Sequence, residues 1–252
     1  MTANPLWIET PASVPTNARH IYWDIVAEAY PDRPPIDILE IGVYKGGLVR
    51  NLDDRVNVRS YTGVDPYVGS LMDSYFHVYW NGADEAGAVY RSTKELFDAK
   101  GLTLVRKMSA AYWRECAHLF DVIIIDGDHS YDFALWDMHH WFKRLSSNGL
   151  LLIDDYDNPQ APEVTKATTR FLHMNQSTIA RVGYRHFEFL NNDLVVPIGM
   201  SVVYVQRVLA ETGTPALENF PARHAFPRLM LKLGTNLYRG MRDVRRVHGR
   251  AV

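Results

Sequence analysis

The run Phe120–Ile125 (FDVIII) constrains the fold of this chain more than any other feature. Four of its six residues are β-branched. A strand with one face in water alternates apolar and polar side chains, whereas a strand covered on both faces reads as a continuous apolar run. Such strands belong to parallel sheets layered between helices. The run ends in Asp126-Gly127-Asp128-His129. A helical pattern follows over residues 131–145, with Leu135, Met138, Phe142 and Leu145 at helical spacing. Asn148-Gly149 then turns the chain into a second buried run, residues 150–153, which ends in Asp154-Asp155-Tyr156.

Upstream the pattern repeats. Ile36–Ile41 (IDILEI) leads into Gly42-Val43-Tyr44-Lys45-Gly46-Gly47, and residues 60–65 (SYTGVD) lead into Pro66, with a short helix expected near 47–52. A helix over 17–30, capped by Thr16, buries Ile21, Ile25, Trp23 and Val26 and is ended by Pro31, Pro34 and Pro35. Further expectations are a helix over 83–99 closed by Lys100-Gly101, a strand at 102–106, and a helix from Pro162 to Met174. Residues 184–190 and 200–206 are expected to pair antiparallel across Asn191-Asn192-Asp193. Pro5, Pro11 and Pro15 mark residues 1–15 as an extended arm, and the aromatic stretch 67–82 reads as a lid or pocket wall. The expected fold class is α/β: a mostly parallel twisted sheet with a C-terminal antiparallel hairpin and helices on both faces. The expected organisation is an arm and helix (1–35), a catalytic core (36–206, with 67–100 as a lid or substrate segment) and a C-terminal extension (207–252).

One cysteine, Cys116, excludes an internal disulfide framework and a cysteine-rich zinc site. No signal-peptide pattern and no apolar run near 18 residues occurs, so the chain reads as soluble and cytoplasmic. The net charge of −2 conceals an asymmetry. Residues 221–252 hold eight Lys/Arg against Asp243 alone, which leaves −9 on residues 1–220. Phe226, Leu229, Met230 and Leu233 lie at helical spacing among those basic residues. This extension reads as a dimer-packing helix, a lip over the pocket, a membrane-surface or anionic-ligand contact, or a solvated terminal helix. The acidic body argues against nucleic acid.

Right-handed crossovers bring the carboxyl ends of parallel strands to one edge, where open α/β sheets bind ligands. Every polar motif above falls at such an end. The glycines at 42, 46 and 47 let the backbone approach a ligand closely, and Asp65, 23 positions after Gly42, is placed to accept from ribose hydroxyls. The glycines do not follow the GxGxxG spacing, which points to a nucleoside with little phosphate. Asp126 and Asp128 at one strand end and Asp154 and Asp155 at the next bring carboxylates together. Such a cluster resists full ionisation unless a cation sits among them, and its oxygens select Mg²⁺, Mn²⁺ or Ca²⁺.

Glu40, Gly42 and Gly46 resemble the acid-x-Gly-x-x-x-Gly motif of class I S-adenosylmethionine-dependent methyltransferases, and Asp65 resembles their ribose-binding acid. That resemblance covers about residues 36–206 and implies a Rossmann-like sheet. It places Ser109 at the adenine of the cofactor, with Asp126 also at the cofactor site. The acidic motifs resemble those of the metal-dependent sugar O-methyltransferases of the macrocin and mycinamicin type. This second resemblance implies Asp126, Asp154 and Asp155 as ligands of Mg²⁺ or Mn²⁺, and a small-molecule or oligosaccharide acceptor. A sugar hydroxyl needs a cation to stabilise its alkoxide and a base to take its proton. Asp128 matches the base proposed for the sugar group, and His129 is the second candidate on the ordinary pKa of its side chain. The alternatives are a catechol or phenol O-methyltransferase, or a nicotinamide-dependent oxidoreductase. The missing GxGxxG speaks against the latter. A homo-oligomer, in the simplest case a dimer, is expected.

Overall fold

The computed structural model describes residues 7–10, 20–68, 83–190 and 197–207. Among the described residues the strands are β1 (Trp7–Thr10), β2 (Ile36–Ile41), β3 (Val58–Val64), β4 (Thr103–Val105), β5 (Phe120–Ile125), β6 (Leu145–Tyr156), β7 (Ile179–Leu190) and β8 (Pro197–Arg207). The helices are α1 (His20–Ala29), α2 (Gly47–Arg50), α3 (Ala83–Ala99), α4 (Ser109–Glu115), α5 (Tyr131–Trp141) and α6 (Pro162–Met174). The strands form one sheet in the order β1-β7-β8-β6-β5-β2-β3-β4. β8 runs antiparallel to both its neighbours, and every other pairing is parallel.

The apolar run that opened the sequence reading lies next to the centre of this sheet, and its two-residue period divides between two cores. Ile123 and Ile125 pack with Leu135, Met138 and Trp141 of α5 and Ala167 and Phe171 of α6. Val122 and Ile124 pack on the other face with Ile21, Trp23 and Val26 of α1, Val49 of α2 and Phe97 of α3. Each of these side chains is fully buried or nearly so, which stabilises the fold by about 1.5–3 kcal/mol per large apolar residue. α1 is therefore an integral part of the second layer, and Trp23 donates from Nε1 to the Leu48 carbonyl at 3.3 Å.

α3 and β5 fall where the sequence expects them, and so do the antiparallel pair β7–β8 and the start of α6 at Pro162. Other elements differ at their ends. β3 begins at Val58 and stops one residue before Asp65. The helix expected over 131–145 is α-helical only to Trp141 and tightens into a 3₁₀ turn over Phe142–Arg144. β6 begins at Leu145 because the Asn148-Gly149 turn is absorbed as a wide bulge: Phe120 faces Leu145 while Val122 faces Leu150. Asn148 takes the left-handed conformation (φ 59°) that this bulge needs. Within the expected extended arm, β1 adds a parallel edge strand to β7. Thr16 and Asn17, the Asn191-Asn192-Asp193 connection, the aromatic segment from residue 69 to 82 and the basic extension from residue 208 onward lie outside the described residues. Among the described residues no helix is long and apolar enough to cross a membrane.

Candidate active site

β2 and β5 are adjacent, but the chain leaves β2 toward β3 on one side and leaves β5 toward β6 on the other. Loops diverge at such a switch point and open a crevice at the carboxyl edge. The loop after β2 and the loop after β5 touch there. Asp126 N donates to the Ile41 carbonyl at 2.8 Å, and Gly42 N donates to the Val64 carbonyl at 2.9 Å. Gly42 has φ 88°, and a Cβ at this position would stand 1.9 Å from the Asp126 carbonyl oxygen. Only glycine fits. Gly46, with φ 72°, lies under α3, where a Cβ would stand 2.9 Å from Leu96.

Asp65 underpins the same loop. Its Oδ2 accepts from the backbone N–H groups of Val43 (3.1 Å) and Tyr44 (2.9 Å), and its Oδ1 accepts from Tyr67 N at 2.7 Å. Burial pushes its carboxyl above the ordinary range, against the pull of these donors. Asp65 thus shapes the glycine loop, an engagement not foreseen from sequence, and its Oδ1 keeps a lone pair for a further donor. Glu40 is 1% exposed, and its Oε2 accepts from the Tyr61 hydroxyl at 2.7 Å.

The acidic motifs meet as a mixed cluster. Asp126, His129 and Asp155 each bring one donor atom within 4.8 Å of the others. His129 Nε2 lies 2.6 Å from Asp155 Oδ2. Asp154 lies outside this group, although it is equally buried at 7%. Successive residues of a strand point to opposite faces, so the two neighbours do not share a partner by adjacency alone. Asp155 adopts φ 57° at the end of β6, and Asp157 adopts φ 60°. Left-handed backbone in non-glycine residues is held at a cost and clusters at functional sites. The buried Asn158 donates from Nδ2 to Asp155 Oδ1 at 2.7 Å and so fixes the carboxylate. Asp128 accepts from Ser130 N at 2.9 Å and shapes the start of α5.

Ser109 opens α4 in the loop after β4. Its hydroxyl meets the Asp137 carboxyl and accepts from Trp141 Nε1 at 2.7 Å. Asp137 and Asn158 were not anticipated. Asp137 was recoverable: with Ala134 and Trp141 it falls on the buried face of α5, where a lone acid is conspicuous.

The donor set suits a divalent cation. Two carboxylates and an imidazole fit the spread of ligands around one ion reached at about 2.0–2.4 Å. The carboxylates favour Mg²⁺ or Mn²⁺, and the imidazole widens the range toward softer first-row metals.

Residues 39–156, from within β2 to the end of β6, match the family described as "Methyltransferase domain". That segment, a little under half of the chain, is similar to a methyltransferase domain. Among solved structures, the N-methyltransferase NodS of Bradyrhizobium japonicum, in complex with S-adenosyl-L-homocysteine, is 12% identical. The likeness covers 75% of this chain and 86% of that one, with a TM-score of 0.50. An O-methyltransferase from Bacillus cereus in complex with SAH is 14% identical over 78% of this chain and 84% of that one, with a TM-score of 0.48. At 12% identity the likeness to NodS is one of fold. No curated protein matches the chain.

Proposed function

We propose that the protein transfers the methyl group of S-adenosylmethionine to a hydroxyl oxygen, with a sugar hydroxyl of a small molecule or oligosaccharide as the acceptor. A dication, Mg²⁺ or Mn²⁺, held by Asp126, His129 and Asp155, assists. The observation that carries this reading is the meeting of those three side chains at the switch point, beside the glycine loop. The cofactor supplies the methyl group on its sulfonium, and the dication supplies electrophilic stabilisation of negative charge on the acceptor oxygen.

The chain's own residues do the rest. Gly42 and Gly46 leave room for the cofactor against the backbone, Asp65 accepts from the ribose hydroxyls, and Ser109 faces the adenine. Glu40 and Asp126 line the same crevice. Asp155, locked by Asn158, fixes the position of His129. Asp128, in the same loop as His129, takes the hydroxyl proton as the methyl–oxygen bond forms. Holding sulfonium and oxygen in line contributes the orientation part of the rate.

The 2.6 Å contact between His129 and Asp155 favours a second reading. A carboxylate that orients an imidazole is the arrangement of a metal-free general base. One experiment separates the two readings and tests both. Methyl transfer from S-adenosylmethionine is assayed on a panel of mannosides, rhamnosides and a catechol, with EDTA and after adding back Mg²⁺ or Mn²⁺. Transfer to a sugar that EDTA abolishes and Mg²⁺ or Mn²⁺ restores is the expected result. Undiminished transfer in EDTA selects the metal-free base, and transfer confined to the catechol overturns the sugar acceptor. Failure of the protein to bind S-adenosylhomocysteine overturns the whole reading.

A further inference from the structure

Asp137 is a buried acid at this site that the proposed chemistry does not use. It is 5% exposed, on the inner face of α5. One carboxyl oxygen meets the Ser109 hydroxyl, which Trp141 Nε1 also reaches at 2.7 Å. The other oxygen lies under the loop after β5, 3.5 Å from where a Cβ on Gly127 would stand. One acid thus ties the loop after β4 to the loop after β5 along the carboxyl edge. The loop after β4 is itself fastened to the Asp65 segment, since Asp65 N donates to the Val105 carbonyl at 3.1 Å. The charged group that faces Asp137 is Asp128, from the β5 loop. Burial pushes the Asp137 carboxyl up, the Ser109 hydroxyl pulls it back and the like charge of Asp128 adds to the rise, leaving it at about 7.

Counting hydrogens gives the consequence. A serine hydroxyl has one proton and two lone pairs, and an indole N–H only donates. Trp141 therefore takes one lone pair of Ser109. An ionised Asp137 only accepts, so it claims the single Ser109 proton. A protonated Asp137 donates to the second lone pair and leaves the Ser109 proton free to point into the crevice. We propose that Asp137 is a positioning residue whose proton decides whether Ser109 can donate a hydrogen bond to the acceptor nitrogens of the cofactor's purine ring. This rests on the reading that the adenine lies against the loop after β4. By this logic ligand binding favours protonated Asp137, so binding takes up a proton near neutral pH and weakens as the pH rises.

The test is calorimetric titration of the full chain with S-adenosylhomocysteine from pH 6 to pH 8.5, in two buffers of different ionisation enthalpy. Wild type is expected to take up a proton near pH 7 and to lose about tenfold in affinity across the range, the worth of one hydrogen bond. Asp137→Asn places a permanent donor against Ser109. It should bind at the low-pH affinity throughout, without the proton uptake. Ser109→Ala should bind about tenfold more weakly at pH 6 and lose the same pH dependence. It decides the matter alone if Asp137→Asn does not fold. Asp65, also pushed up by burial, is common to all three proteins, so the differences between them report on Asp137. A purely structural Asp137 would lower the melting temperature of Asp137→Asn yet leave the wild-type pH profile, and that result overturns the inference. A Ser109→Ala protein with wild-type affinity and profile overturns it too. Absence of any binding by wild type overturns the cofactor reading, and this inference with it.

Discussion

At the amino edge of the sheet, Asp37 and Asp121 at the starts of β2 and β5 are enclosed by partners. Arg59 donates to both oxygens of Asp37 at 2.9 and 2.6 Å, Ser60 adds a bond at 2.7 Å, and His118 Nε2 lies 3.0 Å away. Asp121 accepts from the Asp37 backbone at 2.9 Å and from Ser146 at 2.8 Å. The hydrogen bonds from Arg59 lead in drawing the Asp37 carboxyl down to about 2. At the other ends of these strands and their neighbours, Asp65, Asp126 and Asp155 are held by backbone N–H groups, a histidine and an asparagine. There Asp65 and Asp137 are pushed up by burial. Four non-glycine residues with positive φ, Tyr44, Tyr67, Asp155 and Asp157, stand on that edge. One cluster is tied down by Arg59 and by neighbouring hydroxyl, imidazole and backbone partners and serves the fold. The other holds its acids in strained, desolvated positions, which is the signature of a place prepared for a ligand.

This contrast is open to direct attack. The largest effect is expected for Asp155→Ala. It should lower methyl transfer by about 10²–10⁴-fold, the usual worth of positioned acid–base groups, while S-adenosylhomocysteine affinity measured by calorimetry changes little. Equal losses of transfer and cofactor binding would mean the cluster is structural, like its counterpart. Asn158→Ala should be milder, about 10–100-fold in activity, because it releases Asp155 without removing it. Gly42→Ala should act on stability at the seam between the loops. A left-handed alanine alone costs about 1–2 kcal/mol, and the clash with the Asp126 carbonyl adds to it. The melting temperature should fall by about 5 °C or more.

The smallest effect belongs to the amino edge and appears only in acid. Because the folded Asp37 carboxyl sits below its ordinary 3.8, its contribution is present above that value. It is lost as the pH drops through about 2. Asp37→Asn should flatten that limb of the acid-unfolding curve, followed by circular dichroism, and leave methyl transfer at pH 7 unchanged.

The sequence made the layered sheet legible because both cores write directly onto it. The unbroken FDVIII run, the helical stripe of α5 and the Asn-Gly turn each have one sensible structural meaning. The site was legible by segment rather than by atom. Asp126 and Asp155 were expected as metal ligands, but His129 was expected only as a candidate base, and adjacency grouped Asp154 with Asp155. The left-handed φ that sets the direction of Asp155 leaves no mark in the sequence. Asp65 was read as a ligand contact, since nothing local announces that one of its oxygens also gathers two backbone N–H groups from a loop 21 and 22 residues earlier. β1 escaped because its partner lies some 170 residues downstream, and four residues carry little pattern by themselves.

The contact between Gly42 and the Asp126 carbonyl has a mechanical side. β2 and β5 begin the two halves of the fold, and at this point their backbones touch with no side chain between them. Such a joint transmits displacement without slack. A shift of the glycine loop carries the Asp126 backbone with it through this direct contact, with no relay of side chains between them. The same rigidity confines insertions and loop exchange in this fold to the far ends of the two loops, beyond Gly46 and beyond Ser130.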